Sequence, residues 1–416
     1  MSSLQIKSGE TAQLDHVNGD LHVGRNAKIK PRDGKRVTVN KAAVFEGNAS
    51  VEGDFECDSL TVNGKGTLRV NGNLKIHNKL DVMDSLFAMA RITALEIDVG
   101  GKVTAGSVVC SRLRAGGVVE VEDTLEAETV DVGRRVTASG QVALKSLQVG
   151  GKTEIGGGTI TELAKMSGTF SSSSKLNFSE LQVYGKASLP TGCKGQRIRS
   201  FGRLCVDGSI TCEEIMVEGA ADIRGDCHTA KMEVDGRLDV SGSLMASNML
   251  ESFGQTEIVG QLQGKSLRVG GKFKAREVVL TETADLMGDV KTEDGLRAKS
   301  LIIRTGTRCE GIIVGERVEV GKSSLVVANW ATKWAHQSIS IRLVGKMTQV
   351  NDVYGTKVTL GKASKARRIF AQDVELENGS IAEQVTYTGE LKRSDHVFIR
   401  LPPEKAIKLP DPPLKG

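Results

Sequence analysis

Two short stretches of this chain contain residues of the kind that bind phosphate. Gly150-Gly151-Lys152-Thr153 and Gly321-Lys322-Ser323 both place Lys and a hydroxyl residue after Gly. A phosphate-binding loop has the form G-x-x-x-x-G-K-[ST] and opens a helix, so that backbone N–H groups surround the phosphates. The upstream glycine is absent, because Ser146 and Glu316 occupy its position. We therefore expect no nucleotide-binding site and no cofactor.

A second group of residues includes common metal ligands. It consists of Cys193, Cys212, Cys227 and His228. Their spacing is not the C-x-x-C arrangement of a zinc site. Cys193 and Cys227 instead fall at the same repeat position as Ile210 and Leu244, which predicts buried cysteines and no metal. The chain has 7 cysteines at irregular spacing, an odd number that favours reduced thiols in a cytosol over disulfides.

Carboxylates are the third candidate for chemistry, because acidic clusters can cleave polysaccharides. The chain contains carboxylates such as Asp207, Asp222, Asp235 and Asp239, but Lys and Arg lie between them. That mixture is typical of a solvated charged face. The histidines show no pairing that would make a catalytic base; they are His16, His22, His77, His228, His336 and His396. We expect that the protein is not an enzyme.

Composition narrows the function classes further. The chain carries 56 Lys and Arg against 51 Asp and Glu, without a long run of one sign, so nothing indicates a nucleic-acid partner. No stretch approaches the roughly 18 apolar residues that span a bilayer, and residues 1–15 lack the apolar core of a signal peptide. We expect a cytoplasmic protein, with a membrane-proximal location as the other reading.

The elements that position all these residues come from an internal repeat of 17 residues. Its motif is apolar, any, apolar, any, Gly, and it is clearest at Leu147-Val149-Gly151, Ile215-Val217-Gly219, Met232-Val234-Gly236 and Leu267-Val269-Gly271. Between these marks apolar and polar residues alternate, which indicates strands with one buried face. Two slips of one residue occur, between Ile97 and Leu113 and between Gly236 and Gly254.

Three short strands per repeat, each bounded by a residue that permits a bend, describe one coil of a parallel β-helix. The sequence therefore predicts an all-β, single-stranded parallel β-helix with about 17 residues per three-sided coil. Because one side of the repeat has five residues and the apolar positions alternate throughout, we favour the right-handed form.

Departures from the repeat divide the chain into segments. They are an N-terminal segment (1–13), irregular coils (14–79), regular coils (80–322), an insertion (323–340), C-terminal coils with an end cap (341–400) and a proline-rich flexible tail (401–416). The repeat is expected to resume at Ile341-Leu343-Gly345. The insertion holds Trp330 and Trp334, whose spacing fits one side of a helical turn. The pair is expected either to belong to a loop or short helix packed on the rod, or to form a docking patch for a partner or a membrane surface.

The repeat length, lines such as Gly208 to Gly225 and VNGDLHVGRNAKI (Val17 to Ile29), and the proline-rich tail make this chain resemble the bactofilins. The resemblance implies an elongated or divergent member of this family of polymer-forming cytoskeletal proteins. It also implies a right-handed β-helix that assembles end to end without nucleotide into filaments. Such filaments act as scaffolds, often near the membrane.

Physical chemistry independently favours self-association, because the end coils of a β-helix present unpaired strand edges. The expected polymer contacts are Leu14, Val17, Leu21 and Val23 at one end and Val397, Phe398 and Ile399 at the other. We expect a homopolymer, with other cytoskeletal or membrane-associated proteins binding the tail or Trp330 and Trp334. The alternatives are a carbohydrate-binding or carbohydrate-cleaving β-helix and a monomeric adhesin-like rod.

Overall fold

The computed structural model describes residues 3–322 and 347–413. These residues form a parallel β-solenoid of about 22 turns without a helix, in which stacked strands lie about 17 residues apart. The predicted fold class is confirmed. Contacts divide the chain into two compact units, Met1–Asp207 and Gly208–Gly416, and each is described separately.

The strands of the first unit range from 2 to 15 residues in length. They are β1 (Leu4–Ile6), β2 (Thr11–Leu14), β3 (His16–Val17), β4 (Leu21–Val23), β5 (Ala27–Pro31), β6 (Arg36–Phe45), β7 (Ala49–Val51), β8 (Asp54–Val62), β9 (Thr67–Val70), β10 (Leu74–Ile76), β11 (Lys79–Val82), β12 (Ser85–Val99), β13 (Lys102–Ala115), β14 (Val118–Val121), β15 (Leu125–Val132), β16 (Arg135–Ala138), β17 (Val142–Val149), β18 (Lys152–Ile155), β19 (Gly158–Met166), β20 (Thr169–Ser172), β21 (Leu176–Val183), β22 (Lys186–Pro190), β23 (Cys193–Ser200) and β24 (Arg203–Asp207).

The second unit continues the pattern and includes longer strands that bend around a corner of the coil. They are β25 (Ile210–Val217), β26 (Ala220–Ile223), β27 (Cys227–Val234), β28 (Arg237–Val240), β29 (Leu244–Ser252), β30 (Gln255–Val269), β31 (Lys272–Leu286), β32 (Asp289–Arg304), β33 (Arg308–Lys322), β34 (Thr348–Leu360), β35 (Ser364–Leu376), β36 (Ile381–Tyr387), β37 (Leu391–Arg393), β38 (Phe398–Ile399) and β39 (Glu404–Lys405).

One coil of the second unit shows how the repeat builds the core. In β27 and β28 the buried residues are Cys227 and Thr229, then Met232 and Val234, then Leu238 and Val240. These three inward pairs belong to the three sides of the coil. The next coil stacks on it in register, with Cys227 beside Leu244 and Met232 beside Leu250. Inward residues thus form continuous apolar columns, and full burial of one leucine contributes about 1.5–3 kcal/mol.

The glycine that ends each motif is required by the closeness of neighbouring coils. A Cβ atom on Gly254 would lie 1.9 Å from the carbonyl oxygen of Gly236, and one on Gly271 would lie 2.1 Å from that of Gly254. No side chain fits at this separation without moving the backbone. The glycine that recurs in the sequence therefore lies where the corners of neighbouring coils touch.

The solenoid starts earlier than the sequence pattern suggested. Residues 1–13 were expected to precede the coils, but β1 pairs with β4, Leu4 beside Leu21, and β2 pairs with β5. Leu4 and Ile6 repeat the apolar spacing of Leu21 and Val23 one coil earlier. Next in the chain, Val17 pairs with Val39, a longer interval because residues 32–35 form an extra loop.

Val318 and Val320 of β33 pair directly with Val358 and Leu360 of β34. The expected coil at Ile341-Leu343-Gly345 falls in the stretch between these two strands. The coils resume at Thr348, and Trp330, Trp334 and residues 341–345 lie outside the described residues.

The proline-rich segment also differs from the flexible tail that its composition suggested. Glu404 and Lys405 form β39 beside Thr386 and Tyr387 of β36. The backbone N–H of Ala406 then donates to the carbonyl of Tyr387 at 2.8 Å. Residues 401–413, called the tail segment from here on, therefore lie against the coils of the second unit.

Candidate interaction surfaces

The structure places the two phosphate-loop-like stretches in ordinary coil positions. Thr153 is fully buried and points into the core, and Lys152 points outward to pair with Glu154 at 2.6 Å. Lys322 ends β33 and pairs with Glu319, whereas Ser323 lies outside the described residues. These lysines pair with carboxylates of their own coil.

The cysteines that could have been metal ligands belong to the core. Ile210, Cys227 and Leu244 form one inward column, as the repeat position predicted, and Cys193 and Cys212 are buried as well. His228 is exposed on the opposite face of its strand from Cys227. In the described part of the chain, no three His, Cys, Asp or Glu residues come together as a metal site.

Burial also controls the chemistry of the thiols. The pKa of Cys227 is raised to about 12, chiefly by desolvation and to a smaller extent by the neighbouring Cys212. Burial likewise raises the pKa of Cys57, Cys110 and Cys309 to about 12. Thiols of this kind stay protonated near neutrality and are poor nucleophiles.

The carboxylates form outward ladders along the stack. In the second unit Asp222, Asp239 and Glu257 follow one another on neighbouring coils. Arg237 donates to Asp239 at 2.7 Å, and Lys274 donates to Glu257 at 2.8 Å. Acidic and basic side chains therefore pair along and between coils, as expected for a solvated face.

The first coil of the first unit has outer strand edges that have no partner in the described residues. β1, β2 and β3 each pair on one side only, with β4, β5 and β6. Leu4 belongs to the inward column but is 38% exposed, and Ala12 and Leu14 are half-buried. Leu21 and Val23, which were expected at this contact, are instead buried in the core because β1 covers β4, and Val17 is buried within the first coil itself. Leu4 replaces them as the exposed apolar residue.

The last coils of the second unit are less apolar at their edge. Val397 and Ile399 are half-buried, and Phe398 is 61% exposed. Phe398 pairs with Ile381, whereas Ile399 pairs with the buried Ala382, so Phe398 points sideways and not along the stack. Arg393 occupies the column of Leu360 and Leu376. Short strands and an inward-phase charge are features that blunt a sheet edge.

A groove on the side of the second unit is the surface that sequence reasoning missed. Its floor is an outward column in which Arg297, Val314, Tyr354 and Phe370 are neighbours on four successive coils. The rings of Tyr354 and Phe370 stack at 4.8 Å, and both residues are only 7% exposed although they face outward. We call this column, with the adjacent Gly315 and Gly355, the tail groove.

The tail segment covers this groove. Leu409, Pro410, Asp411 and Pro412 line a cavity of about 590 Å³ together with the floor of the tail groove. The signal in the sequence was an aromatic residue just before a small one at the same repeat phase, Tyr354-Gly355 and Phe370-Ala371. In a chain with few aromatic residues, two of them at one outward phase indicate a covered surface.

A second aromatic pair lies on the first unit. Tyr184 and Phe201 stack at 4.8 Å with an interplanar angle of 9° at a corner shared by two coils. The ammonium of Lys165 lies 5.9 Å from the Tyr184 ring centre. Tyr184 is 46% exposed, so this pair forms a small open platform.

No membrane-crossing helix is present in residues 3–322 and 347–413. Comparison of this chain with protein-family models, with curated proteins and with solved structures finds no match.

Proposed function

We propose that this protein is a non-enzymatic scaffold that assembles end to end, without nucleotide, through its terminal coils. The observation that carries the proposal is the uncovered edge of the first coil, where Leu4 of an apolar column is 38% exposed. Burial of that column by another coil would gain hydrophobic energy and satisfy unpaired strand edges. The resemblance to bactofilins supports the same function.

The first and the last coil are expected to contribute unequally to the contact between chains. The first coil offers Leu4, Ala12 and Leu14, whereas the last coil offers Val397 and Ile399 beside the charge of Arg393. Contact between unlike ends gives an open filament, and contact between two first coils gives a closed pair. We propose that the assembled form is the filament. In each contact the first coil supplies the more apolar surface.

Electron microscopy of the purified protein without nucleotide tests the proposal directly. Long filaments are expected at micromolar concentration and should form equally well with or without added ATP. Single dispersed chains at all concentrations would contradict self-assembly. If only pairs of chains form, the contact joins two first coils, and the proposal of a scaffold filament is wrong.

The platform of Tyr184 and Phe201 favours one other function, carbohydrate binding. Stacked, partly exposed aromatic rings offer flat apolar surface with a neighbouring polar group in Lys165. Binding of a panel of soluble polysaccharides, compared between the natural protein and Tyr184→Ala, tests this alternative. A loss of binding in the variant would support it, and no binding by either protein would exclude it.

A further inference from the structure

The tail segment presents one of every three residues to the coils. From Glu404 to Pro413 only Ala406, Leu409 and Pro412 are partly buried, and the residues between them are exposed. A period of three is that of the polyproline II helix, which has about three residues per turn and rises about 3.1 Å per residue. The sequence Leu-Pro-Asp-Pro-Pro at 409–413 favours this conformation.

The dimensions of a polyproline II helix match those of the stacked coils. Three residues advance about 9.3 Å, and two strand spacings amount to about 9.6 Å. Ala406 is anchored to Tyr387, and Leu409 and Pro412 line the same cavity as Tyr354 and Arg297. A proline-rich segment that runs along the tail groove therefore repeats at nearly the same distance as every second coil of the groove.

The tail segment holds this position weakly. Beyond the bond from Ala406 to Tyr387, no hydrogen bond or ion pair in the described residues involves residues 407–413. Ile407 is fully exposed. The cavity of about 590 Å³ that the segment and the groove floor line is largely open to solvent. The segment covers the groove without filling it.

The groove also contains an unused donor. The Nε atom of Arg297 is buried and lacks a hydrogen-bond partner among the described residues. Asp411 lines the same cavity, but no ion pair joins it to Arg297 in the part of the chain that the structure describes. A buried donor without a partner is destabilising, so a ligand that supplies an acceptor here would gain free energy.

We propose that the tail groove is a binding site for a proline-rich segment of a partner protein, and that the tail segment is its displaceable resident ligand. The partner segment is a polyproline II helix with large apolar residues three positions apart and an acidic residue between them. One apolar side chain packs on the stacked rings of Tyr354 and Phe370, and Arg297 pairs with the acidic one. Aromatic-lined grooves recognise proline-rich peptides because the ligand is extended before it binds. This site is independent of end-to-end assembly.

The test uses the full chain with Leu409→Asp, which weakens docking of the tail segment and leaves the groove unchanged. The probes are fluorescein-labelled peptides, measured by anisotropy: Glu404 to Pro413 as it stands, the same peptide with Phe at the Leu409 position, and a control with Lys408 and Leu409 exchanged. We expect the first peptide to bind Leu409→Asp at least tenfold more tightly than the natural protein. The Phe peptide should bind more tightly still, and the exchanged peptide at least tenfold more weakly.

Two groove variants in the Leu409→Asp background identify the site. Tyr354→Ala should reduce peptide affinity at least tenfold, with folding checked by circular dichroism. Arg297→Glu should weaken the natural peptide and restore affinity for a peptide with Arg at the Asp411 position. The matched control is Arg308→Glu, which changes an exposed arginine paired with Glu310 outside the groove.

Absence of binding by every peptide, or binding insensitive to both groove variants, would overturn the proposal. Concentration-dependent association that requires Leu409 and Tyr354 would show that the occupant is the tail segment of a second copy, and would overturn the assignment to a partner protein. Filaments of Leu409→Asp should remain normal in micrographs, so failure of this inference is distinguishable from failure of end-to-end assembly.

Discussion

Among single residues, the buried cysteines show the clearest effect of burial, because it raises the pKa of their thiols. All seven lie in the described residues without a disulfide, and Cys205 differs from the other six because it is half-exposed. The raised pKa values of the buried thiols have a common cause in desolvation. They therefore act as small apolar residues of the core.

Thiol labelling tests this assignment. With a disulfide reagent at pH 8 in native conditions, we expect about one fast-reacting thiol per chain, at Cys205. In denaturant all seven cysteines should react. Cys205→Ser should remove the fast phase, and retention of that phase in the variant would show that a core thiol is accessible.

The same pKa values predict how stability depends on pH. Cys227 has an ordinary pKa of 9.0 that is raised to about 12 in the folded protein. Its contribution to stability is therefore fully present below pH 9 and is lost as the pH rises toward 12, because the unfolded thiol ionises first. Urea unfolding at several pH values should show that the stability difference between natural protein and Cys227→Ala shrinks by about 1.4 kcal/mol per pH unit in this window. An unchanged difference would contradict the shifted pKa.

At the scale of the elements, the corner glycines decide how closely coils stack. Gly254→Ala places a Cβ atom against the carbonyl of Gly236, 1.9 Å away, and the coils must separate to accommodate it. We expect a loss of about 1–3 kcal/mol in the free energy of unfolding, measured by urea denaturation. The control is Ser241→Ala at an exposed corner, which should change stability by less than about 0.5 kcal/mol. Equal effects of the two changes would show that the corner is not close-packed.

For the molecule as a whole, the proposal of end-to-end assembly rests on the edge of the first coil, which has no partner among the described residues. Leu4→Asp places a charge in the apolar column at the proposed contact, and desolvation of that charge opposes association. We expect filaments to shorten or disappear, as measured by electron microscopy and light scattering. Leu95→Asp is the matched control, because Leu95 is 51% exposed on the side of a coil. Filaments that persist in Leu4→Asp would assign the contact to another surface.

Much of the fold followed from sequence because a repeat constrains every coil in the same way. The alternation around Met232 and Val234 defines a strand, and its recurrence one coil later at Leu250 defines the neighbour of that strand. Even the one-residue slip between Ile97 and Leu113 appears as predicted, since these two residues pair. When strands stack on their own repeats, the local pattern that predicts a strand also predicts its pairing partner, one repeat away.

Apolar alternation and the 17-residue period were enough to predict the all-β fold, the length of a coil and the inward position of residues such as Cys227. Three features came from the folded chain alone: Leu4 starts the stack, β33 pairs with β34, and the tail segment covers Tyr354 and Phe370. Alternation specifies which side chains are buried within a coil. It does not specify which outward side chains are covered by a segment that has no repeat.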